Sequence, residues 1–434
     1  MSKPVHTSQT NTQQQIPASA GLNPIYIIGA LFFVFGFVTW LNGTLIPFLQ
    51  LACELNTSQA LLVTFAFYMA YFFLSIPSSY ILKKTGFKNG MSLGLFVMAI
   101  GALIFIPAAN TRTFSLFLIG LFVQGMGLSL LQTASNPYIT IVGPIESAAQ
   151  RISIMGICNK VAGALSPIIL GALVLKGAQG IENKLKNITD ETQKEGLLHD
   201  LATRVVLPYA IIAILLILLA LLIKYSSLPE INTDEDHIGD DGAVVAPRES
   251  IFNYKNLNLG VLCIFLYVGV EVMAGDVIGT YGKSLGMSLD QTKIFTSYTL
   301  VSMVVGYIIG IIAIPKYIKQ EKALMYSAIV GVIFTIAAYL TGGYISVMFI
   351  ALLGLANSLM WPSIFPLAIK GLGKYTKLGS ALLVMGIAGG AILPQVYALL
   401  ARSISTHAAF LCSMLPCYIY IFYYAVSGHK DGGK

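Results

Sequence analysis

The chain has 434 residues, 56% apolar and only 10% charged, with a mean hydropathy of +0.78 and a formal charge of +7. A soluble domain carries roughly a quarter charged residues, so an ordinary cytosolic enzyme is excluded. Long unbroken apolar runs such as Ala210 to Ile223 also exclude a transmembrane β-barrel, whose strands alternate apolar with polar.

The first 22 residues are rich in Ser, Thr, Gln and Asn and lack the charged start, apolar run and cleavage site of a secretory signal. They read as a disordered tail, with the first membrane helix acting as an uncleaved signal. Hydropathy then predicts six membrane helices, spans 1 to 6, near residues 24–52, 58–82, 89–108, 113–140, 148–174 and 203–224. Six more, spans 7 to 12, follow near 257–283, 291–315, 322–341, 345–369, 376–400 and 405–427. The expected organisation is a tail (1–22), a six-helix bundle (23–224), a linker (225–255), a second six-helix bundle (256–428) and a short tail (429–434). The linker holds Thr233-Asp-Glu-Asp-His237 and Asp240-Asp241, a polar break between two apolar halves.

The basic residues set the orientation. Lys83, Lys84 and Lys88 lie between spans 2 and 3, Lys316, Lys319 and Lys322 between 8 and 9, and Lys370, Lys374 and Lys377 between 10 and 11. These short loops are expected in the cytoplasm, which puts both termini there and the stretch from Lys176 to Asp200 outside. Triplets of this kind are loop bias and give no nucleic-acid surface. The cysteines, Cys53, Cys158, Cys263, Cys412 and Cys417, are odd in number, widely spaced and without a CxxC pair, so neither a disulfide framework nor a metal site is expected. No P-loop, HExxH or GxSxG motif occurs, so neither ATP-driven transport nor hydrolysis has support.

The two halves echo each other. Ser129-Leu-Leu-Gln-Thr-Ala-Ser-Asn-Pro137 in span 4 aligns without a gap onto Ser358-Leu-Met-Trp-Pro-Ser-Ile-Phe-Pro366 in span 10, and Pro167 matches Pro394. A parallel repeat of two six-helix units implies a cavity at their interface near the midplane, opened to each side in turn by rocking. The architecture expected is an all-α membrane protein of the major facilitator type, with twelve transmembrane helices in two pseudo-symmetric bundles.

An ionisable group at the bilayer centre costs at least ~2.5 to 3.5 kcal/mol and so marks a cavity or a partner. Three charged side chains lie deep: Lys160 in span 5, and Glu271 and Asp276 in span 7. The two acids are five residues apart, about 140° around a helix, and share a ligand only if Ala274-Gly-Asp-Val-Ile-Gly279 unwinds. A Gly-interrupted helix there would expose carbonyls to a cation or substrate. Lys160 is positioned to compensate a carboxylate from the other half, such as Glu271, in one conformation only. These three are the candidates for ion coupling or gating. Amides inside apolar helices form the candidate substrate set: Asn42 in span 1, Gln132 and Asn136 one turn apart in span 4, and Asn159 in span 5, with Trp361 as an aromatic platform. Amides offer paired donors and acceptors that suit vicinal hydroxyls of a neutral sugar. A single amide is more often glue between membrane helices, so only the group points to a substrate.

Three runs carry a family resemblance: Leu31-Phe-Phe-Val-Phe-Gly-Phe-Val-Thr-Trp-Leu-Asn-Gly-Thr-Leu-Ile-Pro47, Leu131-Gln-Thr-Ala-Ser-Asn-Pro-Tyr138 and Gly143-Pro-Ile-Glu146. They resemble the fucose/galactose/glucose symporter family of the major facilitator superfamily, nearest to the bacterial glucose/galactose transporters. The resemblance is strong through span 5 and weaker beyond, where Tyr267-Val-Gly-Val-Glu271 is the best anchor. It implies import of a neutral hexose across the inner membrane, by a monomer with no cofactor, and a sugar-contacting role for Asn159. Two departures stand out. The proton-coupled fucose permeases carry Asp where this chain has Gly43, and Glu where it has Gln132. Neither Gly nor Gln titrates, so the family's proton route does not transfer. Sodium-coupled symport is the leading expectation, with Na+ held by oxygens at the neutralised sites or at Glu271 and Asp276. Proton-coupled hexose or fucose symport through one of those acids, hexose uniport and a non-transporting sugar sensor are the alternatives.

Overall fold

A computed structural model describes residues 24–141, 148–226, 228, 250–314, 316–372 and 375–430. The expected N-terminal tail, most of the linker, Gly143 to Glu146 and residues 431–434 of the expected C-terminal tail lie outside the described residues. Among those described, every regular element is a helix.

Among the described residues, eleven helices are long and apolar enough to cross a membrane. One of them, Thr57–Thr111, has 55 residues. At 1.5 Å per residue it would reach about 80 Å, against a hydrocarbon core of about 30 Å. It turns at Gly86, whose φ of 76° and ψ of 173° are non-helical. That conformation has φ in the range open to glycine and closed to most side chains, so spans 2 and 3 are two crossings joined by a glycine turn. The number of crossings is therefore the twelve expected.

Both first helices of the halves are broken. Span 1 consists of Pro24–Thr39 and Asn42–Ala52, and span 7 of Lys255–Gly275 and Ile278–Ser284. The break expected in the Gly-rich segment of span 7 falls at Asp276 and Val277. Span 4 runs unbroken over Phe114–Ile141, whereas its partner span 10 divides into Gly343–Asn357 and Met360–Ile369. The stretch expected as a loop between spans 5 and 6 is two short helices, Ala178–Asn187 and Glu191–Thr203. Asp190 caps the second by accepting from the backbone N–H of Thr192 at 2.9 Å.

Lipid tails are as apolar as leucine, so packing between helices here depends on close approach at small residues. A Cβ on Gly94 would come within 2.8 Å of the Gly127 carbonyl oxygen, and one on Gly36 within 2.7 Å of the Asn159 Cα. These contacts seat span 3 on span 4 and span 1 on span 5. The outer surface carries exposed Leu207, Ile214, Leu218, Ile312 and Ile333, a surface suited to hydrocarbon.

Ion pairs tie together the loops of one face. Lys194 of the second loop helix meets Glu54, just after span 1, at 2.7 Å. Arg112, just after span 3, pairs with Glu195. Loops 1–2, 3–4 and 5–6 therefore share one side of the bundle, as an alternating path requires. The halves also touch on this side, where Arg402 donates to the Ser58 hydroxyl at 2.7 Å. Further along, the first helix of span 11, Thr376–Met385, packs on spans 2 and 4.

Candidate functional site

Between the halves lies a cavity of about 100 Å³. Spans 1, 2, 4 and 5 form one wall, with Phe32, Trp40, Tyr68, Tyr71, Gln132, Asn136, Asn159 and Lys160. Spans 7, 8, 10 and 11 form the other, with Tyr267, Glu271, Tyr307, Trp361 and Ile387. Pockets that hold small molecules usually measure several hundred Å³, so this cavity is a contracted one.

Six of the eight candidate residues meet here. Gln132 donates through Nε2 to the Tyr71 hydroxyl at 3.0 Å. Asn136 follows one turn later, 7% exposed, on the same helical face. The Asn159 Oδ1 accepts from Trp40 Nε1 and its Nδ2 donates to the Phe32 carbonyl, both at a long 3.4 Å. Bonds of that length sit at the weak end of the range, so this amide is held in position yet can be won by a ligand. Trp361 lies beside Phe365 with ring centroids 5.7 Å apart, and 6.4 Å from Tyr267.

Lys160 and Glu271 join the two walls. Their Nζ and Oε1 atoms are 2.8 Å apart, with both side chains about nine-tenths buried. The Lys160 ammonium also lies 4.3 Å from the Trp40 ring centre, a cation–π contact. The compensation of Lys160 by a carboxylate of the other half is thus present in this closed arrangement.

Two candidates lie elsewhere. Asn42 is 1% exposed and does not line the cavity. It opens the second half of span 1, beyond the break, and its Nδ2 has no hydrogen-bond partner among the described residues. Asp276 is fully buried in the seam between the halves, where Tyr68 donates its hydroxyl to Oδ2 at 3.1 Å. The two acids of span 7 consequently serve different places despite the break between them.

Sequence reasoning missed the tyrosines and Trp40. Tyr68, Tyr71 and Tyr307 look like ordinary membrane aromatics, and nothing in their spacing sets them apart. Trp40 had a signal, as one of only two tryptophans in the chain and the residue at the break in span 1.

Among the described residues, no group of three or more His, Cys, Asp or Glu side chains is placed to hold a metal ion.

A Major Facilitator Superfamily model matches residues 28–394. The chain is 36% identical over 404 residues to a glucose/galactose transporter of Brucella abortus, covering 92% of this chain and 93% of that one. It is 31% identical over 399 residues to the L-fucose-proton symporter of Escherichia coli, covering 89% and 90%. It also resembles the crystal structure of a Major Facilitator Superfamily transporter, FucP, in the outward conformation. The TM-score is 0.74 and the identity 30%, with 93% of this chain and 98% of that one covered.

Proposed function

Because the chain belongs to the Major Facilitator Superfamily, we propose that it imports a neutral hexose of the glucose or galactose type by alternating access, driven by a cation gradient. One observation carries this reading. Gln132, Asn136 and Asn159, from two helices of one half, converge on a cavity faced across the midline by Trp361 and Tyr267 of the other. Amides hydrogen-bond paired hydroxyls, and an aromatic face covers the apolar C–H face of a pyranose. The names of the glucose/galactose relatives support the same class of substrate.

In this reading the two six-helix units, 23–224 and 256–428, rock about the cavity. The present form, with its contracted cavity and the Lys160–Glu271 pair across it, stands in this reading between the two open states. The Lys-rich loops support a reading in which the linker side and both termini face the cytoplasm of a bacterial cell and the protein acts as a monomer in the inner membrane. The sodium expectation draws no support from the relatives, two of which are named as proton symporters. Gln132 carries no proton, so the coupling group lies elsewhere in this chain.

Purified protein in proteoliposomes tests the reading. Trans-loaded glucose or galactose is expected to drive counterflow of labelled sugar. Failure of every hexose tested to exchange would sink it.

A further inference from the structure

Asp276 stands apart from the sugar cavity. It is fully buried, it does not line the cavity, and its Oδ1 has no hydrogen-bond partner among the described residues. It sits on span 7 of one half and is bonded to Tyr68 on span 2 of the other. The backbone of Gly43, after the break in span 1, also lies within hydrogen-bonding reach of its carboxyl.

The charges that face it are few. Lys160 approaches from span 5 and Glu271 from one turn back on span 7, with the Tyr68 and Tyr71 hydroxyls on span 2. Lys160 is already engaged with Glu271 at 2.8 Å and with the Trp40 ring. Two carboxyls therefore share one ammonium. With both ionised, the buried cluster would hold an uncompensated negative charge, an expensive arrangement away from water. One added positive charge makes the cluster neutral, and the engaged Glu271 leaves Asp276 to take it.

The local oxygens favour a proton over a metal cation. The helix break frees the carbonyls of Ala274 and Gly275, but Thr299 and Thr296 each donate a hydroxyl to them at 2.7 Å. A hard cation needs a shell of several oxygens, and one bound here would have to share or displace the acceptors of two threonine hydrogen bonds. A proton needs only the lone Oδ1.

We infer that Asp276 is the coupling site, a carboxyl that takes a proton on Oδ1 when the seam on the loop 5–6 side parts and keeps it while the seam is shut. The inference rests on the transport reading above. Tyr68 connects the two sites: its ring lines the sugar cavity while its hydroxyl bonds to Asp276. Only an O–H bond forms on loading and breaks on release. On release the O–H bond at Oδ1 breaks and the proton passes to water that fills the cavity when it opens to the other side, while the Tyr68 hydroxyl goes on donating to Oδ2 of the carboxylate. Sugar and proton then move in the same half-cycle because neither site is reached by water while the halves are together.

Two measurements on the full chain test this. In proteoliposomes, wild type is expected to concentrate labelled hexose when an acid-outside pH gradient is imposed, without added sodium. Asp276→Asn is expected to keep counterflow, which needs no net proton movement, and to lose concentrative uptake. Concentrative uptake by Asp276→Asn at the wild-type level overturns the inference, and so does wild-type accumulation that follows a sodium gradient and ignores the pH gradient. The second measurement needs neither a variant nor a sugar. A hydrophobic carbodiimide, which modifies protonated carboxyls in apolar surroundings, should label Asp276 of the wild type, with the site read by peptide mass spectrometry and the yield falling at alkaline pH. A wild type left unmodified at residue 276 overturns the inference. Label at Asp276 in a protein that exchanges no hexose supports the proton site and fails the hexose reading alone.

Discussion

The two walls of the cavity are built from different chemistry, although the halves that supply them are repeats. The N-terminal wall carries all three of the cavity's amides, Gln132, Asn136 and Asn159, and its lysine. The C-terminal wall carries Tyr267, Tyr307, Trp361 and Glu271 and no amide. The backbones differ in the same sense. Among the described residues, the N-terminal half breaks span 1 at Trp40 and Leu41 and opens span 2 with a separate short turn, Thr57–Ala60, whereas the C-terminal half breaks spans 7 and 10, opens span 8 with Leu289–Thr292 and passes through a short 3₁₀ turn, Gly386–Ala388, in span 11. Aromatic rings line both walls, so what separates them is that one half supplies every amide of the cavity and the other, more segmented half supplies none. Ser129 and Ser358 show the divergence at one aligned position: Ser129 lies inside a continuous helix and bonds to Ser75 at 3.2 Å, while Ser358 marks the break in span 10.

The contrast can be pressed hardest where the walls are joined. Glu271→Gln leaves Lys160 buried without its counter-charge, and this should cost about 3 to 5 kcal/mol, seen as a lower thermal unfolding midpoint in detergent. Lys160→Met together with Glu271→Gln should recover part of that loss. Strict additivity of the two single changes would mean that the walls are not coupled through this pair.

Next in size are the amides. Asn159→Ala or Gln132→Ala leaves a sugar hydroxyl unpaired in a dry site and should weaken hexose binding by about 1 to 3 kcal/mol, roughly 5- to 150-fold. Titration calorimetry reads this directly, and unchanged affinity in both variants would move recognition to the other wall. Gly43→Ala tests closure instead of recognition. Its methyl group would overlap the Thr296 hydroxyl, so the closed state should lose about 1 to 3 kcal/mol. A cysteine introduced beside the seam should then react faster with a membrane-impermeant maleimide. The smallest effect is expected at the aromatic wall. Trp361→Phe keeps a ring and should alter affinity by about 0.5 to 1.5 kcal/mol, less than either amide change.

The fold was largely legible in the residues. Long apolar runs, a gapless match between spans 4 and 10 and lysine triplets in alternate loops each follow from lipid as the solvent, and the structure has the twelve crossings they imply. Gln132, Asn136, Asn159 and Trp361 were legible because polar or bulky groups inside apolar helices need a reason to be there, and one cavity gathers them. Asn42 does not line the cavity in this structure: it follows the break at Trp40 and Leu41, and no Pro or Gly at those two positions announces that break. Asp276 was found but assigned no partner. Its neighbour Tyr68 lies 208 residues away in sequence, and a contact at that distance leaves no local pattern.

Trp40 occupies a narrow slot. A Cβ on Gly163 would come within 2.8 Å of its ring, one on Gly275 within 3.1 Å, and the Lys160 ammonium rests on its face. The chain's second tryptophan, Trp361, lines the same cavity. All of the intrinsic tryptophan fluorescence therefore originates at the place where the halves meet. Parting of the seam would move Trp40 from a dry slot beside a cation into water, changing its emission, while sugar seated on Trp361 would change the other signal. A single-tryptophan pair, each with the remaining indole replaced by phenylalanine, would let the rocking of the halves and the arrival of substrate be timed separately in unlabelled protein.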